Sequence, residues 1–343
     1  MLNKELQEIK REPKKMSDTD PRIVIIERGA LSRLCDILGD YTNPVCVSDE
    51  LIYTKYQQYL EDSTGTCPAW IMAPNNSQEE IPKQADIIIG FGGGRSIDTA
   101  KLLAREYSID WVSVPTAASH DGIASDVASV IQNGYRYSKK CKSPIAVIAD
   151  IDIIEQAPTI LRKAGTGDII CKVSSLAEWK LAHDHNDEEF LEEVYNLVES
   201  ALQSVLRNDD LESLIQAEID SGKAMNLAQS SRPCSGTEHA ISHAMDRRNQ
   251  NLHGIQVAFA TPLCVHFLKQ VDYTKHRPID IQEYMRDRDM PLTFEDMKLT
   301  REQFLDDIHH ALRIMGKRKR YSVLEHLNVD DTDIIKACQE LNY

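Results

Sequence analysis

The sequence lacks long hydrophobic runs and paired cysteines. No apolar stretch in the 343 residues approaches the roughly 18 residues of a membrane-spanning helix, so we expect no such helix. The eight cysteines are scattered, and no two of them form a Cys-x-x-Cys pair. They are therefore predicted to be reduced thiols, most of which pack as small buried hydrophobes.

Positive charge is also scarce. Lysine and arginine number 39 against 54 aspartates and glutamates, which gives a formal net charge of -15. This balance argues against nucleic acid or an anionic membrane as the main partner. The first twenty residues are charged and lack the apolar core of a secretion signal, so we expect a frayed or helical leader and a cytoplasmic location.

The first half of the chain alternates short apolar runs with segments of helical spacing. The chain length favours two domains. Short β-branched runs are typical of strands buried on both faces, so they predict a parallel sheet built from βαβ units. The predicted strands are Arg22–Ile26, Pro44–Val47, Ala69–Ala73, Asp86–Gly90, Trp111–Val114 and Ile145–Ala149.

The second half has a different periodicity. From about Leu161 onward, apolar residues recur at three- and four-residue intervals, which predicts a helical domain. We therefore predict an α/β domain over residues 1–157 and an all-α domain over residues 158–343. The predicted helices are Phe190–Leu206, Leu211–Leu227, Thr237–Met245, Ile255–Val271 and, after a surface connection at Thr274–Lys298, a last helix at Arg301–Met315.

A glycine-rich turn, GFGGGRSIDTAK over residues 90–101, follows the clearest predicted strand and opens a predicted helix. Such a junction lets a phosphate approach bare backbone N–H groups at the positive end of a helix. The turn differs from the GxGxxG fingerprint, which would need glycine at Arg95, and from the P-loop. Asp98 is expected to close the first helical turn, and Lys101 to pair with Asp98 or with a cofactor. A purely structural turn is the alternative.

A second small-residue loop, PTAASHDGIAS over residues 115–125, follows the predicted strand Trp111–Val114. Ligands of open α/β sheets bind at the carboxyl ends of strands, where this loop lies. The hydroxyls of Thr116, Ser119 and Ser125 are suited to bind phosphate or ribose. Asp121 is suited to hold a substrate hydroxyl, whereas a structural role is favoured for His120.

Carboxylate and imidazole side chains recur in three segments of the predicted helical domain. These segments are GTGDIICK (165–172), GTEHAISH (236–243) and LHGIQVA (252–258). One carboxylate with two or three imidazoles suits zinc or a similar divalent ion, which predicts Asp168, His239 and His253 as ligands. Because His239 and His243 are four residues apart on one helix face, spacing alone leaves open which of them is the ligand. Structural histidines remain the alternative.

Together these motifs resemble one family. The segments GFGGGRSIDTAK, VPTAASHDGIAS, IAVIAD, GTGDIICK, SRPCSGTEHAISHAMD and HGIQVAF look like those of the sn-glycerol-1-phosphate dehydrogenases. That family belongs to the superfamily of iron-dependent alcohol dehydrogenases, glycerol dehydrogenases and dehydroquinate synthases. The resemblance extends from about Arg22 to about Leu327, and its form is closer to archaeal than to bacterial members.

The resemblance implies an N-terminal dinucleotide domain, a C-terminal helical domain and an active site in the cleft between them. It implies Asp168, His239 and His253 as metal ligands, which resolves the choice between His239 and His243. It also implies that Asp121, Asp168 and His243 bind the substrate and take part in catalysis. The implied cofactor contacts are Gly92, Gly93, Gly94, Arg95, Ser96, Ile97, Asp98, Thr116, Ala117, Ala118, Ser119 and Ser125.

The resemblance further implies a reaction and its ligands. The expected activity is the reversible reduction of dihydroxyacetone phosphate to sn-glycerol 1-phosphate by NADH or NADPH, with zinc or another divalent metal polarising the C2 oxygen. Its expected role is to supply the backbone of archaeal ether lipids. A glycerol dehydrogenase acting on non-phosphorylated polyols, a dehydroquinate-synthase-like lyase and a non-catalytic binding module are the alternatives. The apolar helices of the second domain allow a homo-oligomeric interface.

Overall fold

The computed structural model describes residues 21–73, 80–132, 135–248 and 251–343. The leader expected over the first twenty residues lies outside the described residues. The chain divides into two compact units. One comprises the residues up to Val130 together with Ser138–Pro158, and the other comprises Ile131–Tyr137 together with Thr159–Tyr343.

A parallel sheet of six strands forms the centre of the first unit. Its strand order is β1-β8-β5-β4-β2-β3, and every neighbouring pair is parallel. All six predicted strands are found, which confirms the predicted α/β fold. Strands β6 and β7, which the sequence analysis missed, form a separate two-stranded sheet. In chain order the strands are β1 (Ile23–Glu27), β2 (Pro44–Ser48), β3 (Ala69–Met72), β4 (Ile87–Gly92), β5 (Asp110–Pro115), β6 (Val127–Gln132), β7 (Tyr135–Lys140) and β8 (Ala146–Asp150).

Helices cover the central strands, whose side chains are buried on both faces. Strand β4 is buried along its whole length, and alternate residues of it enter two different hydrophobic clusters: Ile87 and Ile89 join one, and Ile88 joins the other. This two-sided burial explains why the strands are continuous apolar runs rather than alternating patterns. The helices of this unit are α1 (Leu34–Leu38), α2 (Glu50–Thr64), α3 (Gly94–Tyr107) and α4 (Ile151–Ile154).

The strand order reverses between β2 and β4. From β2 the chain continues to β3 at one edge of the sheet, whereas from β4 it continues through β5 towards β8 and β1. The connections that leave the carboxyl ends of β2 and β4 therefore run in opposite directions, and ligands of open α/β sheets bind at such a switch point. The glycine-rich turn begins at the end of β4.

The second unit is mostly helical, as predicted. The four central predicted helices are found within two residues at each end, and the helix predicted from Arg301 extends to Lys317. In chain order the helices are α5 (Thr159–Ile170), α6 (Lys172–Asn186), α7 (Glu192–Arg207), α8 (Leu211–Leu227), α9 (Thr237–Met245), α10 (His253–Gln270), α11 (Pro278–Arg286), α12 (Arg301–Lys317), α13 (Val323–His326) and α14 (Asp331–Glu340).

Two predictions about the end of the chain were wrong. The segment Thr274–Lys298 is not only a surface connection, because it contains α11. Pro278 begins that helix, where proline's missing N–H is not needed, and Ile281 and Met285 bury one face of it. The helix beginning at Arg301 is not the last, since α13 and α14 follow.

No helix among the described residues is both long and apolar enough to cross a membrane. All eight cysteines are free thiols, and five of them are buried, as expected from their scattered positions.

Candidate metal centre and cofactor-binding turn

The glycine-rich turn joins β4 to the amino end of α3. Gly92 has a φ of 155°, and a Cβ atom there would lie 2.5 Å from the Ser96 hydroxyl, so only glycine fits. Gly93 is the N-cap of α3, with extended backbone. The first N–H groups of a helix have no partner within it and lie at its positive end. The turn is therefore suited to bind a phosphate.

The loop after β5 lies against this turn. The Thr116 N–H donates to the Gly92 carbonyl at 3.0 Å, because β4 and β5 are adjacent and parallel. His120 accepts a hydrogen bond from the Gly122 N–H at its Nδ1 (2.8 Å), and its Nε2 lies close enough to Gly94 to exclude a Cβ atom. The structure thus brings the two predicted cofactor segments together at one edge of the sheet.

Several predicted cofactor residues make structural contacts there. The Asp98 carboxylate accepts hydrogen bonds from Lys101 Nζ (3.3 Å) and from the Ser129 N–H (3.2 Å). Lys101 also donates to the Val127 carbonyl (2.7 Å) and lies 3.5 Å from the Ser125 hydroxyl. These bonds tie α3 to the start of β6.

The remaining predicted cofactor residues differ in exposure. Ile97 belongs to the hydrophobic core, whereas the Arg95 side chain is exposed. Ala117 and Ala118 are buried, and Ser119 is half-buried. Side-chain contact with a ligand is therefore open to Arg95 and Ser119, whereas Ile97 offers a ligand only its backbone.

Asp49 also lies at this turn, although it was not predicted from the sequence. It follows β2 and caps α2, with its carboxylate accepting a hydrogen bond from the Ile52 N–H at 3.0 Å. A Cβ atom on Gly92 would lie 3.8 Å from the Asp49 carboxylate. The acidic side chain therefore lies beside the turn at the switch point. An acidic residue directly after the second strand was the available signal.

The predicted metal ligands come together in the helical unit. Asp168 lies near the end of α5, His239 in the first turn of α9, and His253 at the start of α10. One carboxylate oxygen and two imidazole nitrogens of these residues all lie within 4.8 Å of one another. His239 Nε2 is 3.6 Å from Asp168 Oδ1. A single divalent cation has the right donors at this cluster.

Each imidazole is oriented by a buried polar partner. His239 Nδ1 is 2.8 Å from the Glu238 carboxylate, and Glu238 also accepts from the Gly236 N–H at 2.6 Å. His253 Nδ1 is 2.9 Å from the Ser242 hydroxyl, which in turn donates to Gln256 Oε1 at 2.7 Å. Each ring thus has a buried polar partner at Nδ1, an arrangement typical of metal-binding histidines.

Two glycines allow α5 and α10 to approach closely. A Cβ atom on Gly254 would lie 1.8 Å from the Ala164 carbonyl oxygen, and one on Gly167 would lie 2.2 Å from the Gly254 carbonyl oxygen. Backbone therefore packs directly on backbone beside Asp168 and His253. This contact fixes the spacing of two ligands that are 85 residues apart in the sequence.

The charges in the cluster favour a cation. Burial raises the pKa of Asp168, but the Lys172 charge, 3.8 Å away, and the hydrogen bond with His239 outweigh it and hold this pKa well below its usual value. Burial likewise raises the pKa of Glu238, and its contacts with His239 reverse the direction. Burial lowers the pKa of His239, but its contacts with Cys171, Asp168 and Glu238 outweigh burial and hold this pKa well above its usual value. Carboxylates held ionised beside imidazole nitrogens suit a borderline divalent ion, so the residues present fit a metal.

The other candidates hold different positions. The His243 ring stacks on the His253 ring, with centroids 5.6 Å apart, and its Nδ1 lies 4.0 Å from the Asp246 carboxylate. Cys171 Sγ lies 4.0 Å from His239 Nδ1, on the side of the ring that faces Glu238. His243 thus lies beside the cluster of Asp168, His239 and His253.

Replacing Ser242 by alanine is expected to weaken metal binding about 10- to 100-fold, because His253 loses the hydroxyl that orients its ring. The dissociation constant can be measured by competition with a chelator. Ser204→Ala is the matched control. Ser204 is half-buried in α7, which contains none of the predicted ligands, so this change should leave metal affinity unchanged. Equal affinity in Ser242→Ala and the unmodified protein would show that the hydroxyl does not support the ligand.

Comparisons with known proteins identify relatives of this chain. Residues 25–158 match the family model of iron-containing alcohol dehydrogenases. The chain is 32% identical over 329 residues to a glycerol-1-phosphate dehydrogenase (NAD(P)+) of Methanosarcina acetivorans, covering 89% of this chain and 90% of that protein. A protein of the same name from Nitrosopumilus maritimus is 34% identical over 335 residues, covering 91% and 92% of the two chains.

The fold has solved relatives as well. The crystal structure of a probable glycerol dehydrogenase from Sinorhizobium meliloti 1021 is similar with a TM-score of 0.73, covering 94% of this chain and 97% of that chain. Its sequence is 17% identical, so this likeness concerns the fold alone. By its identity to the archaeal relatives over most of its length, the chain belongs to the glycerol-1-phosphate dehydrogenase family.

Proposed function

We propose that this chain reduces dihydroxyacetone phosphate to sn-glycerol 1-phosphate with NADH or NADPH, reversibly. The buried cluster of Asp168, His239 and His253 is the observation that carries the proposal. Each of its two histidines also has a buried polar partner at Nδ1, which histidines with a merely structural role do not require. The names of the archaeal relatives supply the substrate and the cofactor class.

In this proposal, residues 1–157 form the dinucleotide-binding domain and residues 158–343 form the domain that binds metal and substrate. The pyrophosphate lies at the amino end of α3, where backbone N–H groups and the helix dipole favour an anion. Asp49 lies at the position from which an acidic side chain reaches the adenosine ribose in dinucleotide-binding folds. The contacts retained from the sequence are Gly92, Gly93, Gly94, Arg95, Ser96, Ile97, Asp98, Thr116, Ala117, Ala118, Ser119 and Ser125.

We propose zinc as the metal, because one carboxylate and two imidazoles leave a catalytic zinc site open to a substrate. Other divalent ions share this donor preference, and metal analysis of the purified protein distinguishes them. When bound, the metal supplies Lewis acidity towards the substrate carbonyl, and the nicotinamide supplies the hydride. Asp168, His239 and His253 would hold the metal through one carboxylate oxygen and two imidazole nitrogens.

His243 and Asp121 are proposed to bind the substrate. His243 Nδ1 lies 4.0 Å from the Asp246 carboxylate, and this imidazole is suited to donate a hydrogen bond to a substrate oxygen and to deliver the proton that reduction requires. Asp121 lies in the loop after β5, and its carboxylate is suited to accept from a substrate hydroxyl. Asp168 contributes to substrate binding through its place in the cluster.

The biological role follows from the stereochemistry of the product. sn-Glycerol 1-phosphate is the backbone expected in archaeal ether lipids, and a small-molecule enzyme of this kind is expected in the cytoplasm. The proposed substrate and product are small molecules, and a nucleic-acid partner is not expected from the net charge of -15. A homo-oligomer is compatible with the apolar helices of the second unit.

The first test is an assay of the purified, zinc-loaded protein with dihydroxyacetone phosphate and either NADH or NADPH. We expect oxidation of the reduced nicotinamide and a product that is the 1-phosphate by enantioselective analysis. Dihydroxyacetone and glycerol, which lack the phosphate, are the matched control substrates. If the protein turns over these control substrates but not dihydroxyacetone phosphate, its function is that of a glycerol dehydrogenase. A 3-phosphate product would contradict the proposed role.

A further inference from the structure

A polar cavity lies in the helical unit. It has a volume of about 210 Å³ and is lined by four cationic side chains and two carboxylates, in a chain whose net charge is -15. The proposed metal ligands do not line it, so it is a separate feature of this unit. The charged residues that line it are Arg232, Arg318, Lys319, Arg320, Glu188 and Glu189.

One of the four cations is already neutralised. The buried Arg232 donates from Nε to the Glu188 carboxylate at 2.8 Å and from Nη1 to the Glu178 carboxylate at 3.3 Å. Glu188 in addition accepts from the Tyr321 N–H at 2.6 Å. Glu178 and Glu188 therefore make their hydrogen bonds within the cavity wall, and they act on Arg320 only through their charge, without a direct contact.

The other three cations follow the last residue of α12. Lys319 adopts the left-handed conformation with a φ of 53°, and the Arg320 N–H donates to the Met315 carbonyl at 3.0 Å. This reversal ends the helix in the manner of a Schellman motif, although glycine is the residue usually found there. As a result, the arginines on both sides of Lys319 line the same cavity.

Arg318 and Arg320 have no acidic partner among the described residues. The Arg320 guanidinium donates to the Ser231 hydroxyl at 2.8 Å and to the Ser235 carbonyl at 3.4 Å, both neutral acceptors. Burial, followed by the charges of Arg232 and Arg318, lowers the pKa of Arg320 to about 10. Neighbouring guanidinium groups of this kind are stabilised by an anion that accepts from both.

We propose that this cavity is a binding site for a small phosphate-type dianion, held by Arg318 and Arg320. A tetrahedral phosphate offers several acceptor oxygens, which matches the planar N–H groups of two guanidiniums better than a single carboxylate does. Trp179 and Pro233 add an apolar wall, and Ser230 adds a hydroxyl. The ligand class is therefore a phosphate or a phosphomonoester with a small organic group.

The test is a calorimetric titration of the metal-loaded protein with inorganic phosphate, compared with the double variant R318Q/R320Q. We expect the variant to lose at least about tenfold in affinity for one phosphate per chain, since two charge-assisted hydrogen-bonding groups are neutralised. Phosphate bound at the substrate site contributes equally to the titrations of both proteins. The difference between the two titrations therefore reports binding in the cavity. Identical titrations, or no binding in either protein, would overturn the proposal.

Two further variants keep the test decisive. R313Q changes an exposed arginine of the same helix outside the cavity and should bind phosphate as the unmodified protein does. Because Arg320 supports the loop of Ser231 and Ser235, the double variant needs a check of its circular dichroism and Tm. R318Q removes a side chain without a hydrogen bond to the described residues, so it should fold and still weaken binding several-fold; undiminished affinity in folded R318Q would contradict the assignment.

Discussion

Replacing His253 by alanine is expected to remove the bound metal and to lower kcat with dihydroxyacetone phosphate by about a thousandfold, or roughly 4 kcal/mol of transition-state stabilisation. The reason is that His253 supplies one of three donors whose ligand atoms lie within 4.8 Å of one another. The loss of one donor leaves a carboxylate and one imidazole, which hold a divalent ion poorly. Metal content by elemental analysis and kcat by nicotinamide absorbance are the two measurements.

His309→Ala is the matched control, because His309 is an exposed residue of α12 that pairs with Asp331. It should retain both metal and activity. Added zinc in excess should restore part of the activity of His253→Ala if the metal is lost through weakened affinity. A His253→Ala protein with full metal content and full activity would show that the ligand assignment is wrong.

Gly254→Ala is expected to destabilise the helical unit by roughly 3 kcal/mol, and to lower its Tm by about 10 °C. The added Cβ atom would lie 1.8 Å from the Ala164 carbonyl oxygen, and neither partner is a flexible side chain that can turn away. Helices α5 and α10 must therefore separate, which moves Asp168 away from His253. We expect a marked loss of metal affinity together with the loss of stability, both measurable by calorimetry.

Gly316→Ala provides the comparison. Gly316 lies in α12, and a Cβ atom there meets nothing within 4 Å, so stability should be unchanged or rise by up to about 1 kcal/mol. Conformational entropy in the unfolded chain changes similarly in the two variants, so their difference reports the helix contact. A Gly254→Ala protein as stable as Gly316→Ala, with normal metal binding, would mean that the helices tolerate separation.

The sequence predicted most of the fold because the signals are local. A strand buried on both faces must be a continuous apolar run, and β4 is one, so its position follows from composition alone. The helix α11 was missed for the opposite reason. Pro278 is usually a breaker, and only the burial of Ile281 and Met285 against other helices shows that it begins a helix here.

The residue types of the proposed metal site were also readable from the sequence, but their arrangement was not. Spacing leaves His239 and His243 equivalent, because both lie on one face of α9. The tertiary structure separates them: His239 faces Asp168 and has Glu238 behind it, whereas His243 stacks on His253. The difference between His239 and His243 depends on where α5 and α10 pack, and a local sequence pattern does not show this.

The sequence by itself determined the periodicities, the glycine turn and the family, since each depends on neighbours within a few residues or on overall identity. Only the tertiary structure decided how close distant segments come. Asp49 lies beside Gly92 because β2 and β4 are paired, and Arg318 and Arg320 line one cavity with Arg232 because α12 ends against the loop before α9. These contacts join residues 40 to 90 positions apart, and their energies depend on packing that the order of residues does not display.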